Sequence, residues 1–450
     1  MSESKRARIP HPLILLTGCI ILAALASYVL PAGQYQREED PDTGRAAVVA
    51  GTYQEVESSP VDLFQAIVAL PRGMAEAADV IFLVFLIGGA FTVVDESGTL
   101  RRAITALVRT LRGRDVLVIP IVSLFFGAGG VTQNMQEEIV ALIPVLLILT
   151  TRVGFTPLIA VAMSAGAAVV GSAFSPINPF QVLIAQSVAD LAPASGLGFR
   201  TVFLLAAMAL WIGITMRHAE RMRVTPQLVG IDTDERMSGR DLLVLAMVAT
   251  TFVLIVLGLL QWEWGFDELS AAFFILGVMA GLTSRMGLAA TAEAYVRGFR
   301  EMAFAALLIG FARAIFVVLE DGHIIDTIVH GLFQPLAGLP PLTSALGMVL
   351  AQAIVHVPVP SVSSQAVLTM PLLVPLSDLL ELPRQITVLA YQYGGGLTDL
   401  LTPTNGALMA ILAAAGVRYD DWLKFALPLY LGLIVLGGLA IVIAVSIELA

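Results

Sequence analysis

The apolar residues of this chain come in blocks longer than one face of a soluble helix needs. PLILLTGCIILAALASYVL (12–30) and LLVLAMVATTFVLIVLGLL (242–260) are apolar all round, and about 20 such residues form a helix long enough to cross a hydrocarbon core of roughly 30 Å. Spans are predicted at 12–30, 79–95, 157–183, 201–216, 242–260, 268–284, 302–319, 386–414 and 425–447. Two more apolar stretches, 116–151 and 342–379, are interrupted halfway by GGVTQNMQEE and HVPVPSVSSQ, which predicts hairpins that enter and leave by one face. Two spans are themselves broken, by SPINP (175–179) and TPTNG (402–406). The expected fold is an all-α integral membrane protein with about nine transmembrane helices, two re-entrant hairpins and two discontinuous helices.

Shifting the chain by 227 residues lays Pro144 on Pro371, Ser175 on Thr402, Pro176 on Pro403 and Asn178 on Asn405. The extra span at 268–284 reverses parity between the halves, so the repeat is expected to be inverted, as in secondary transporters. The domain reading follows: 1–60 a first helix and outside loop, 61–216 a first repeat unit, 217–240 a cytoplasmic linker, 241–300 two scaffold helices, 301–450 a second unit.

Composition agrees, with 57% hydrophobic and only 13% charged residues, against about 25% charged in soluble domains. The basic start MSESKRARIPH precedes an apolar block too long for a signal peptide, so 12–30 is expected to be retained. With Cys19 alone, no intrachain disulfide is possible. The net charge of -10 conceals segregation. With the N-terminus cytoplasmic, nineteen basic residues fall inside, five (Arg37, Arg45, Arg72, Arg200 and Arg384) fall outside, and Arg313 lies within the membrane. This positive-inside bias predicts a multi-pass protein of a cytoplasmic (inner) membrane with its C-terminus outside. No basic run suits nucleic acid, and no nucleotide loop, Cys/His cluster or nucleophile triad stands out, so no enzyme activity, metal or cofactor is expected. Energy is expected from an ion gradient, Na⁺ or H⁺.

Proline within a helix frees a carbonyl and costs about 3 kcal/mol, tolerable in a membrane only where protein or a wet cavity satisfies the backbone. The breaks therefore mark candidate binding chemistry. Ser175, Asn178, Thr402, Asn405, Gln133, Glu138 and Asp399 are candidate oxygen ligands for an ion. Asn134, Glu137, Glu138, Asn178, Ser363, Ser364, Tyr393, Thr404 and Asn405 are candidates for the solute, and half-helix N-termini suit a carboxylate. Arg313 is open to pairing with one of these acids or with a solute carboxylate. His356 reads as a titratable group or as hydrogen-bonded structure, and YDDWLK (419–424) as an interface anchor.

NMQEE (134–138), SPINPFQVLIAQ, LTMPLLVPL, YQYGGGLTDLLTPTNGALMA and YDDWLKF, in this order over nearly the whole chain, resemble the YfcC-like branch of the C4-dicarboxylate anaerobic carrier (DcuC) family, within the wider ion transporter superfamily. The hairpin tip departs from the usual GMAEE of that branch. The resemblance implies inverted repeats, opposed re-entrant hairpins, a homodimer in membrane lipid, and transport of dicarboxylates or arginine/ornithine exchange. The expected function is ion-coupled secondary transport of a small carboxylate-bearing metabolite, an amino acid or C4-dicarboxylate. A basic amino acid antiporter and a passive channel are the alternatives.

Overall fold

The computed structural model describes residues 11–39, 46–100, 102–103, 106, 115–224, 237–262 and 264–449. Lys5, Arg6, Arg8, Arg45, Arg101, Arg109, Arg112, Arg114 and Arg236, part of the charge asymmetry, lie outside them. The chain is predominantly helical. Helix α1 (Pro12–Ala26) leads to two short antiparallel ribbons, β1 (Gly33–Gln34) with β4 (Gln54–Glu55) and β2 (Arg37–Glu39) with β3 (Ala46–Val48). Then follow α2 (Leu63–Glu76), α3 (Ala78–Glu96), a hairpin of α4 (Val118–Gln133) and α5 (Glu137–Val153), a broken helix of α6 (Pro157–Ala173) and α7 (179–188), and α8 (Leu197–Arg221). Helices α9 (Gly239–Gln261) and α10 (Phe266–Thr283) connect to α11 (Leu288–Asp321) and α12 (Ile325–Phe333). A second hairpin, α13 (Pro341–His356) and α14 (Val362–Leu379), precedes a second broken helix, α15 (384–396) and α16 (Gly406–Ala414), and α17 (Tyr419–Ser446).

Among the described residues, seven helices are long and apolar enough to cross a membrane: α3, α4 with its leading turn, α8, α10, α11, α14 and α17. Two of these, α4 and α14, are arms of the expected hairpins, and each is long and apolar enough to cross by itself. Helix α1, expected to run over 12–30, ends at Ala26, where the Ser27 hydroxyl bonds the Ala24 carbonyl.

A helix not expected from hydropathy, α2, explains Arg313. It starts at an Asp62–Gln65 capping box and runs with α3 antiparallel to α11. Arg72 meets Asp321 at 2.5 Å, Glu76 meets Arg313 at 2.9 Å and Glu96 meets Arg297 at 2.5 Å, so partner numbers fall as the chain advances. Close approach is set by glycine. A Cβ on Gly73 would lie 2.5 Å from the Ala314 nitrogen, and one on Gly298 would lie 2.7 Å from the Gly88 carbonyl. Arg313 therefore belongs to this seam, 39% exposed, with its guanidinium over Phe316; it faces neither the buried acids nor the cavity described below.

The order of elements from α3 to α8 recurs from α11 to α17, with α12 inserted: long helix, hairpin, broken helix, long helix. Each broken helix also carries a π turn in its first arm, at Ala162–Gly166 and Gln392–Gly396. The π turn at 162–166 redirects the Ala162 carbonyl, and the Trp211 indole donates to it at 2.8 Å.

Outside these helices the ribbons pack on α12. Arg37 bonds Asp326 at 2.8 Å, and the Tyr35 hydroxyl meets His330 Nδ1 at 2.9 Å. Burial, with Asp326 nearby, pushes the Tyr35 phenol up to about 12.

Candidate functional site

At the first break, SPINP is held by its own polar side chains. The Ser175 hydroxyl donates to the Val131 carbonyl of the first hairpin at 2.8 Å and accepts from the Ile177 and Asn178 backbone N–H groups. Asn178 caps α7 by accepting from the Phe180 and Gln181 N–H groups, and its Nδ2 donates to the Gly130 carbonyl at 2.8 Å. A carbonyl freed by Pro176–Pro179 is also met: Gln392 of the opposite broken helix donates to the Ser175 carbonyl at 2.6 Å.

The second break is clasped in a parallel way. The Thr404 hydroxyl donates to the Val357 carbonyl of the second hairpin at 2.6 Å, and Thr402 and Thr404 bond each other at 2.7 Å. Asn405 caps α16 by accepting from the Leu408 N–H at 3.0 Å. The freed carbonyls of Leu400 and Leu401 accept from the Trp422 indole at 2.8 Å and from the Tyr419 hydroxyl. Tyr419 and Trp422 are thus buried parts of the break, not interface anchors as expected; Asp421 and Lys424 beside them do face outward, and Asp420 is mostly covered.

Asn405 also links the breaks to the first hairpin tip. Its Nδ2 donates to Gln136 Oε1 at 2.9 Å and to Asp399 Oδ1 at 2.6 Å, while Gln136 Nε2 donates to Asp399 Oδ2 at 2.9 Å. Asn134 ends α4 in a left-handed conformation (φ 55°) and accepts from the Ser172 hydroxyl at 2.6 Å, tying the same tip to α6.

Between the two hairpin tips, the second break and the turn before α10 lies a cavity of about 380 Å³. Gln133, Asn134, Gln136, Glu137, Glu138, Ser361, Ser363, Asp399 and Asn405 supply its polar wall; Phe180, Trp264 and Phe266 supply aromatic faces. Among the described residues, three acids line it and no Lys, Arg or His does. Both amide atoms of Gln133 and Oε2 of Glu138 are buried with no partner among the described residues, which marks polar capacity left for a ligand. Helices α5, α14 and α16 begin at this cavity, so their N-terminal N–H groups bring positive dipole ends to the same space.

Of the candidates read from sequence, Gln133, Asn134, Glu137, Glu138, Ser363, Asp399 and Asn405 line this cavity. Ser175, Asn178, Thr402 and Thr404 do not: their side chains are spent on the hairpin clasps and helix caps. Ser364 lines a second cavity of about 360 Å³, under the ribbons with Arg37, His323 and Asp326. Tyr393 is buried with its ring 4.7 Å from Phe174 and packed on Gly437, away from the cavity wall. Sequence reasoning left Gln136, Phe180, Trp264 and Phe266 out of the site. Gln136 was legible inside the polar hairpin tip; the three aromatics carry no local signal, because the fold alone brings them there.

A family model described as C4-dicarboxylate anaerobic carrier (DcuC) matches residues 9–446. An Escherichia coli K12 protein described as "Putative basic amino acid antiporter YfcC" is 30% identical over 502 aligned residues, covering 99% of this chain and 99% of that one. A Haemophilus influenzae protein with no activity in its description is 29% identical over 416, covering 89% and 82%. Among solved structures, the Alcanivorax borkumensis YdaH transporter is 17% identical with a TM-score of 0.42, covering 97% of this chain and 99% of that one. Neisseria gonorrhoeae MtrF is 18% identical with a TM-score of 0.42, covering 98% and 96%. Matched by the family model over nearly its full length, this multi-pass chain belongs to the DcuC family of membrane carriers.

Proposed function

We propose that this protein is an ion-coupled secondary transporter whose solute is an amino acid with a cationic side chain, exchanged across a cytoplasmic membrane. The observation that carries this reading is the cavity wall, with Glu137, Glu138 and Asp399 and, among the described residues, no basic one. A guanidinium or ammonium group fits among three carboxylates and over the faces of Trp264, Phe180 or Phe266. The solute carboxylate fits the N-terminal ends of α14 and α16, beside Ser361, Ser363 and Asn405. A dicarboxylate would instead meet three acids and need bound cations to offset repulsion. The description of the E. coli relative as a basic amino acid antiporter points the same way.

In this reading the N-terminus is cytoplasmic, the hairpins re-enter from opposite faces, and the two units cross in opposite senses, as the arginine asymmetry and the recurring element order support. The turn at 264–266, between α9 and α10, then lies on the outer side and the cavity opens outward. Proteoliposome counterflow tests the function. Preloaded arginine should drive uptake of labelled arginine, lysine or ornithine, while fumarate and succinate compete weakly. Efficient dicarboxylate uptake with no arginine exchange would refute the solute class, and flux that follows only the solute's own gradient would mark a channel.

A further inference from the structure

Behind the cavity wall, Asp399 Oδ1 lies 2.8 Å from Nε2 of His356, a ring that is 0% exposed. The protons on this ring can be counted from the far end of its hydrogen-bond chain. The Thr369 hydroxyl has one hydrogen, and it goes to the Gln365 carbonyl one turn back at 2.8 Å. The Thr369 hydroxyl oxygen must therefore accept from Gln352 Nε2, also at 2.8 Å. The Gln352 amide is thereby oriented, and its Oε1 faces Gln365. Gln365 Nε2 sits 2.5 Å from that oxygen and 2.8 Å from the Gln352 carbonyl, so two acceptors fix the NH₂ end of Gln365 there. Its Oε1 is left for His356 Nδ1 at 2.7 Å, and Nδ1 must carry a hydrogen.

On the other side, both Asp399 oxygens already accept, from Asn405 and Gln136. With Nδ1 occupied, the contact from Nε2 to Oδ1 requires one further proton. Without it, a ring lone pair faces a carboxylate lone pair in a buried place. The protonated pair is neutral as a unit; the deprotonated pair leaves one negative charge at the cavity wall.

We propose that the Asp399–His356 pair binds the coupling proton, and that a cationic solute group arriving in the cavity displaces it to water. The proposal rests on the cationic amino acid reading above. Proton and solute compete for the same negative charge, so each lowers the other's affinity, and a site that alternates between faces then exchanges one for the other as long as the empty, charged site does not cross. Gln136 on the first hairpin tip and Asn405 at the cap of α16 share the Asp399 carboxylate, so both elements sense the protonation state. Other titratable groups on elements packed around the pair include Glu137 and Glu138 on α5, which face the same cavity, Tyr430 on α17, whose hydroxyl meets that of Thr398 beside Asp399 at 3.3 Å, Tyr419, which donates to the Leu401 carbonyl, Tyr391, which donates to the Val362 carbonyl at 2.5 Å, and Tyr393 with Arg200, which Gln385 and Gln392 hold.

The test is histidine-selective ¹⁵N NMR of the full chain in lipid nanodiscs. The His356 ring is identified by its loss in H356Q or, if that variant does not fold, by elimination with variants of His11, His218, His323 and His330. Without solute, both ring nitrogens should carry hydrogen on the acid side, and only Nδ1 should keep it as pH rises. Saturating arginine should convert the ring to the Nδ1–H form and release about one proton per arginine to a pH dye; D399N should abolish the release. A ring protonated only on Nε2, or arginine binding, read by Trp264 fluorescence, with no change in the ring and no proton release, overturns the proposal. If arginine does not bind, the solute reading fails, and the acid titration alone then decides: a ring that gains no proton between about pH 5 and pH 8 overturns the proton site, and one that gains it supports the site.

Discussion

Gln392 donates to the backbone carbonyl of Ser175 at 2.6 Å, so a side chain from the second broken helix completes the backbone of the first. The same amide accepts from buried Arg200, and the Gln392 carbonyl accepts from Gln181 at 3.2 Å. Q392L would leave a buried carbonyl and a buried guanidinium without this partner, the costly way to lose a hydrogen bond. A loss of about 3 kcal/mol is expected, seen as a clear fall in the melting temperature of the purified protein. An unchanged melt would show that the two breaks do not depend on each other.

Glu138 separates binding from folding, because its Oε2 has no partner among the described residues. E138Q should therefore melt close to the parent protein in the absence of solute. Its affinity for arginine should fall about tenfold, the equivalent of about 1.4 kcal/mol, measured by solute-dependent thermal shift. Equal affinity in parent and variant would remove Glu138 from the solute site.

Helices α2 and α3 lie against α11 at glycine contacts, and their charged pairs are decoration by comparison. R313Q breaks one ion pair, but the glutamine amide can still donate to Glu76, so a smaller loss than that of G73L is expected. G73L puts a side chain into the α11 backbone, where a Cβ alone comes within 2.5 Å, and should cost about 3 kcal/mol or more. Transport should survive the first change and be lost or sharply reduced with the second. If R313Q abolishes transport in folded protein, Arg313 has a role beyond the seam.

The outer ribbon supplies a pH prediction. The Tyr35 phenol is pushed up to about 12 by burial and Asp326, so the folded protein holds this proton longer than the unfolded chain does. Its contribution to stability is complete below about pH 10, the unfolded value, and is lost as pH rises toward 12. Thermal melts across that window should decline more steeply for the parent than for Y35F.

Much of this was legible in sequence because membranes punish exceptions. SPINP and TPTNG stand out against apolar helices, and the structure gives each a hairpin to grip through Ser175 and Thr404. The acidic hairpin tip was legible for the same reason, since Glu137 and Glu138 are expensive among apolar arms. The misassigned residues are those whose role depends on what lies across from them. Arg313 was open to pairing with the hairpin or break acids or with a solute carboxylate until α2 placed Glu76 beside it. Asn178 is the right chemistry for a ligand, yet its amide is fully used by Gly130, Phe180 and Gln181. His356 gained a proton-counting role only through Gln365, Gln352 and Thr369, which sit at spacings that carry no signature of their own.

Trp422 distinguishes the two accounts of the YDDW segment. An interfacial anchor would tolerate phenylalanine with little cost, because the ring would remain at the headgroup level. Here the indole is 0% exposed and donates to the Leu400 carbonyl, next to the Leu401 carbonyl that Tyr419 holds. W422F should therefore lose about 1–3 kcal/mol for the unpaired carbonyl, seen in the melt. It should also weaken arginine binding, since Leu400 adjoins Asp399 in the chain and the break would no longer be held at that point. Combined with Tyr419→Phe, both neighbouring carbonyls lose their donors, and the pair of changes should exceed either alone in melting temperature and in affinity together. Stability and affinity near the parent values in the double variant would return the segment to the membrane surface.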